Sequence, residues 1–219
     1  MSDHRGAPVP STEGREVPSP AAISFVTTEH FNLQTARGAT TFETNGRAGI
    51  FLGAVSAGLV AFAFAGQASR TALYTFGLVL FPVLFFLGVT TFSRALQSSI
   101  ADTMFVLRIN RIRRYYLDHA PELAGYLMPA TRGDDLGHLL RQEGYLLGRT
   151  QTLLSTPGTI AVLNGVLLGG TVGLAVSALT ADNLWLGTLG GLVTLVVTVL
   201  AHQRYQARAR TAKPDVFVD

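Results

Sequence analysis

The sequence predicts an all-α membrane protein with four transmembrane helices, arranged as two short hairpins with cytoplasmic helical extensions between them. Three observations predict it. Of 219 residues, 48% are hydrophobic and only 14% are charged, whereas an ordinary soluble domain carries about 25% charge. Four long runs hold no charged residue at all. Sixteen of the seventeen Lys and Arg residues fall outside the two short turns between paired runs, leaving Arg70 alone within one.

Residues 1–24 are rich in Pro, Ser, Gly and Ala, with Pro8, Pro10, Pro18 and Pro20 spaced through them. They read as a disordered cytoplasmic tail, and no run there is apolar enough to be the core of a signal peptide. Residues 25–47 read as a cytoplasmic pre-membrane helix. Within it Thr40 and Glu43 fit a capping box, and Glu43 with Arg47 makes a favourable i,i+4 pair.

The first hairpin spans 48–92. Ala48–Gly66 and Ala72–Phe92 are its charge-free arms, and only Gln67 to Thr71 join them. The second spans 159–200, with arms Thr159–Leu179 and Leu184–Leu200 joined by Thr180 to Asn183. At about 1.5 Å per residue each arm is long enough for a hydrocarbon core of about 30 Å. Helices of a soluble bundle would show polar faces at a 3.6-residue period, and these show none.

Between the hairpins, 93–158 reads as a cytoplasmic helical segment. The second arm continues as helix to Asp118, with Phe105, Ile109, Ile112 and Tyr116 on one stripe, and Pro121 marks its end. A Pro/Gly-containing loop follows from Ala120 to Asp134, then a second helix from Asp135 to Leu154. Thr156 and Pro157 supply an N-cap and a first-turn proline for the third span. Residues 201–219 form a basic cytoplasmic tail.

A formal net charge of +3 argues little for nucleic-acid binding. Placed along the chain, the same arginines state orientation. Arg47, Arg94, Arg149 and Arg204 flank the spans on one side, so the positive-inside rule puts both termini and the central segment in the cytoplasm, across the plasma membrane. Arg108, Arg111 and Arg114, with Arg204 and Arg208, are the candidate contacts to anionic lipid headgroups.

Inside the membrane the clearest pattern is small residues at four-residue spacing. Gly49, Gly53, Ala57 and Ala61 form one row, continuing to Ala65; Gly165, Gly169, Gly173 and Ser177 form another; Gly187 and Gly191 repeat the spacing once. Such rows let helix backbones approach closely and drive association in lipid. They are predicted to be packing faces, within one chain or in a homo-oligomer. Pro82, near the middle of the second span, is a candidate hinge or static bend, because it removes the hydrogen bond to the Leu78 carbonyl.

No Asp, Glu, Lys, Arg or His lies within any span, which argues against an ion-coupled transporter or proton relay. Asn164 is the one carboxamide in the apolar runs and is expected to hydrogen-bond a neighbouring helix. Absence of cysteine excludes disulfides, thiolate metal sites and cysteine nucleophiles. Asp118, His119 and Glu122, and Asp134, Asp135 and His138, supply one His each and fall short of a metal ligand set. With no phosphate loop or catalytic constellation either, no cofactor, metal or catalytic residue is assigned.

The expected function is therefore non-catalytic, acting by helix–helix assembly or partner contact in the bilayer. An oligomeric pore or membrane-disrupting module is the alternative, and a membrane enzyme acting on lipid-linked substrate a more distant one. Short hairpins with cytoplasmic helices make the layout similar to the multi-span effector modules of bacterial antiphage systems, such as the SLATT and Pycsar-type families. That resemblance is architectural. It implies the pore alternative and brings over no site residue.

Overall fold

A computed structural model describes residues 18–127 and 149–211. Among them every regular element is helical and no strand occurs. In chain order these are α1 (Pro20–Ala68), α2 (Arg70–His119), a 3-10 turn (Pro121–Gly125), α3 (Arg149–Leu154), α4 (Thr156–Leu179) and α5 (Leu184–Thr211). The chain is an all-α membrane fold, with α1, α2, α4 and α5 each long and apolar enough to cross a bilayer.

Helix α1 begins inside the segment predicted as tail. Ser19 is its N-cap, the hydroxyl accepting from the Ala22 amide at 3.2 Å, and Pro20 occupies the first turn. A proline there starts a helix rather than breaking one, because its missing N–H is an orphan position anyway. The predicted capping box fails for the complementary reason. Thr40 lies mid-helix, where every nearby N–H is already bonded, so its hydroxyl donates back to the Ala36 carbonyl at 2.9 Å. Glu43 does pair with Arg47, at 2.9 Å.

One residue turns the chain between α1 and α2. Ser69 is extended (φ −168°) and serves both helices. Its N–H donates to the Ala65 carbonyl at 3.3 Å, and its hydroxyl accepts from the Ala72 amide at 3.0 Å. The helices it joins have 49 and 50 residues, about 75 Å each at 1.5 Å per residue. A hydrocarbon core of about 30 Å accommodates less than half of that. The remainder is a polar two-helix stalk. Arg37 Nε bonds Asp102 Oδ1 at 2.7 Å with both side chains about four-fifths buried (22% and 18% exposed). Leu33 of α1 and Val106 and Ile109 of α2 are buried in the stalk, while Phe105, Ile112 and Tyr116 of the predicted stripe are half-buried. At the stalk's base Glu43 also meets Arg94 of α2 at 3.4 Å.

The second hairpin starts one residue earlier than predicted. Ser155, not Thr156, is the N-cap of α4, its hydroxyl accepting from Gly158 N at 3.3 Å, and Pro157 follows in the first turn. Of the helix predicted over Asp135–Leu154, α3 is the described part; residues 135–148 lie outside the described residues, as do 1–17 of the predicted tail. The α4–α5 turn places Ala181 (φ 52°) and Asp182 (φ 64°) in the left-handed region. Asn183 Oδ1 then accepts from Leu186 N at 3.2 Å to start α5.

The membrane helices form an open row in which each packs chiefly on the next: α1 on α2, α2 on α4, α4 on α5, with α1 touching α4 lightly. The core runs along the row through Phe51 and Val55 of α1, Phe81 and Leu84 of α2, and Ile160 and Leu167 of α4. Edge helix α5 turns Leu and Val side chains outward, with Trp185 fully exposed near its start. Both hairpin turns lie at one end of the row, called here the turn end. The other is the basic end, carrying Arg47, Arg94 and Arg204.

Candidate functional site

The two rows of small residues end up in different surroundings. On α4, Gly169 and Gly173 meet the backbone of α5. A Cβ on Gly169 would stand 2.6 Å from the Gly191 carbonyl oxygen, and one on Gly173 3.0 Å from that of Gly187. The relation is mutual, since a Cβ on Gly191 would stand 2.8 Å from the Gly169 oxygen. Gly165 faces Val199 and Leu195, and buried Ser177 lies against Gly187. Only glycine permits this approach, which brings the two backbones into direct dispersion contact.

On α1 the row has no partner among the described residues. Nothing lies within 4 Å of a Cβ placed on Gly49 or Gly53, and Ala57 and Ala61 are exposed. Gly58 and Gly66, on the opposite side of the same helix, meet Leu84 and Leu73 of α2. Gly38 and Gly46 are open like Gly49. At about 100° per residue, Phe31, Gly38, Phe42, Gly49 and Gly53 share one face within about 60°. Phe42 is 82% exposed and Phe31 67% exposed on that face.

Pro82 sits on the outer side of α2, which runs through it unbroken from Arg70 to His119. Its neighbours Phe81 and Leu84 are buried. Phe81 rests on Phe62, ring centroids 4.8 Å apart, and would lie 3.1 Å from a Cβ on Gly170 of α4.

The arginines divide by their distance from the apolar segment. Arg204 and Arg208 lie about 6 and 12 Å beyond Leu200 along α5. Arg108, Arg111 and Arg114 lie about 24 to 33 Å beyond Phe92 along α2. Helix α2 is continuous through these three positions and packs on α1.

Asn164 makes the interhelical bond expected of it. Its Nδ2 reaches His202 Nε2 of α5 at 3.4 Å. His202 lies in the segment 201–219 that the sequence predicts as a basic cytoplasmic tail. Gln206, one turn further on α5, and Asn110 of α2 are also buried carboxamides that the sequence reading passed over. Their signal was a carboxamide four or fewer residues from an apolar stripe, which periodicity alone treats as polar surface.

In the stalk, burial and then the charge of Arg113 hold His30 below its ordinary value of 6.5. Glu43 is held low by its hydrogen bond to Arg47 and that cation's charge, with Arg94 adding to both. His119 Nδ1 lies 2.8 Å from the Tyr115 carbonyl. Among the described residues no group of three His, Asp or Glu converges as a metal site; Asp134, Asp135 and His138 lie outside them. Comparison with protein-family models, curated proteins and solved structures finds no match.

Proposed function

We propose that the chain is a non-catalytic, multi-pass protein of the cytoplasmic membrane that acts by self-assembly, a second copy packing on the outward face of α1. The observation that carries this reading is the open face itself. In a helix interior each glycine costs about 1 kcal/mol relative to alanine. In α2, α4 and α5 an added Cβ on every glycine would meet a neighbouring atom within 4 Å, whereas on Gly38, Gly46, Gly49 and Gly53 of α1 it would meet none among the described residues. The face holding them carries no charge from Phe31 to Phe64. Copies inserted with one topology run parallel, so Gly49 and Gly53 meet their own counterparts in a small-xxx-small contact.

The orientation proposed places the basic end and both termini in the cytoplasm, where sixteen basic residues oppose Arg70 on the far side. Arg204 and Arg208 then lie near the anionic headgroups of the inner leaflet.

The test is the oligomeric state of the purified full-length protein in nanodiscs or mild detergent, compared with Gly53→Leu and with Leu192→Ala on the α5 edge. Gly53→Leu is expected to give monomer and Leu192→Ala to leave the assembly unchanged. An unchanged assembly in Gly53→Leu overturns the reading. The open row favours a second reading, because α1 and α5 leave two unlike edges that could close several copies into a ring around a pore. A ring predicts a higher oligomer and dye leakage from liposomes; a dimer with tight liposomes rejects it.

A further inference from the structure

All four membrane helices meet at one polar point near the basic end. Asn164 of α4 is fully buried, 0% exposed. Its amide lies against Gly88 of α2, where an added Cβ would overlap the Asn164 oxygen and stand 2.9 Å from Phe51 of α1. Its Nδ2 faces His202 Nε2 of α5 at 3.4 Å. Phe92 of α2 covers the imidazole edge-on, ring centroids 4.6 Å apart.

The hydrogen bonds fix the tautomer. His202 Nδ1 lies 2.9 Å from the Thr198 carbonyl oxygen. A carbonyl only accepts, so Nδ1 carries the hydrogen and Nε2 is left as the acceptor for the Asn164 N–H. That leaves Asn164 Oδ1 buried without a hydrogen-bond partner. An orphaned amide oxygen is costly in a dry interior, and with no accessible surface at that atom no water reaches it. Gly88 offers it at best a weak Cα–H contact.

We propose that this junction is a proton-binding site whose moving part is the Asn164 amide. A proton from the aqueous phase at the basic end adds to the lone pair of His202 Nε2, forming an N–H bond and an imidazolium cation. Nothing else is made or broken covalently. Nε2 now donates, so the amide turns over about χ2 and offers Oδ1 in place of Nδ2. The orphaned oxygen gains a charge-assisted bond, and the NH2 group moves against Gly88. A proton is the one ligand that needs no cavity.

The titratable groups at this level leave the role to Asn164. On α5 itself they are Arg204, Tyr205 and Arg208; on α2, Arg94, which is bonded to Glu43 of α1 beside Arg47. Helix α4 carries none between Thr156 and Leu179. Gln206 extends the same face of α5, fully buried with neither amide atom bonded. The amide lies against Gly88 of α2, where an added Cβ would also stand 2.9 Å from Phe51 of α1, so its turning takes place beside the helix with the open face.

The experiment uses the full-length protein in phosphatidylcholine nanodiscs, with histidine and asparagine 15N-labelled. It is followed by NMR from about pH 8 to about pH 5, the range in which imidazoles titrate. His202→Gln identifies the His202 signals among the five histidines. At high pH His202 is expected as the Nδ1–H tautomer, opposite to the Nε2–H form favoured by free histidine. On acidification both nitrogens become protonated, and the Asn164 NH2 resonances shift with the same midpoint. In His202→Gln the Asn164 response is lost. A neutral His202 carrying its hydrogen on Nε2, a His202 that does not titrate, or an Asn164 amide that stays still while His202 titrates each overturns the proposal.

Discussion

Arg70 and Asp182, 112 residues apart and one in each hairpin turn, form an ion pair. The Tyr74 hydroxyl donates to the other carboxylate oxygen at 2.9 Å. These contacts tie the two turns together at one end of the row, where the helices are otherwise held only by apolar packing. An exposed pair of this kind is worth about 0–1 kcal/mol and weakens with salt. Asp182→Asn is therefore expected to lower the unfolding temperature in detergent slightly at low salt and to reduce its salt dependence. A mutant as salt-sensitive as the wild type would show that the clamp contributes nothing.

The same turn holds a sharper prediction. Ala181 has φ 52°, where a Cβ crowds the following carbonyl, at a cost of roughly 1–2 kcal/mol. Glycine adopts that conformation freely. Ala181→Gly is expected to stabilise the second hairpin by about 1 kcal/mol, less the greater entropy that glycine gives the unfolded chain. Thermal unfolding read by circular dichroism checks it; destabilisation would mean that this backbone is not left-handed in the folded protein.

The glycine rows make opposite predictions for one chemical change. Gly169→Ala puts a methyl 2.6 Å from the Gly191 carbonyl and must separate α4 from α5, an overpacking cost of about 1–3 kcal/mol. Gly49→Ala adds the same methyl to open space and gains about 1 kcal/mol of helix propensity. In monomer-forming detergent, Gly169→Ala should melt lower and Gly49→Ala as high or higher. Equal losses at both positions would place α1's glycines in a contact within the chain.

These rows also show what was legible before folding. Spacing predicts both as packing surfaces because a period of four residues lies on one side of any helix; the α4 row meets α5, and a Cβ on the glycines of the α1 row would meet no atom within 4 Å among the described residues. It carried no information on which neighbour each row meets, since that depends on the order of helices across the row. Charge-free length gave the four spans, and the tight turns gave the hairpins. The errors were local. Ser19 and Ser155 are the caps, although better-known patterns lie nearby, at Thr40 with Glu43 and at Thr156 with Pro157. His202 and Gln206 were read as surface because they follow the last apolar residue. Gln206 is buried and His202 half-buried because α5 continues as helix past the end of its hydrophobic run, with His202 against Phe92 of α2 and Asn164 of α4.

Acid should loosen the stalk in two stages. His30 is held below 6.5 by burial and then by Arg113, so as pH falls below 6.5 the unfolded chain takes up a proton before the folded one does. Stability is complete above that value and declines as pH falls through the folded-state value. Glu43, held low by Arg47 and then Arg94, contributes stability that is present above its ordinary value of 4.5 and lost as pH falls through its lowered one. His30→Phe is expected to remove the first decline and Glu43→Gln the second, read as the unfolding temperature against pH. A His30→Phe protein with the wild-type decline below 6.5 would assign that step to another group.

Pro82 leaves the Leu78 carbonyl without its helical donor, yet α2 is continuous through it and its flanks are held. Phe81 packs on Phe62 at 4.8 Å and closely over Gly170, and Leu84 packs over Gly58. A moving hinge would have to break these contacts at every stroke, whereas a fixed bend keeps them. Pro82→Ala restores one N–H donor and is expected to stabilise α2 by about 1 kcal/mol, the net value of one hydrogen bond. Oligomeric state and the Asn164–His202 contact should be unchanged. Amide hydrogen exchange over Leu78–Phe86 reads the outcome locally: protection should rise at these residues alone. A change spreading to α4 and α5 would instead mark Pro82 as a hinge coupling the two hairpins.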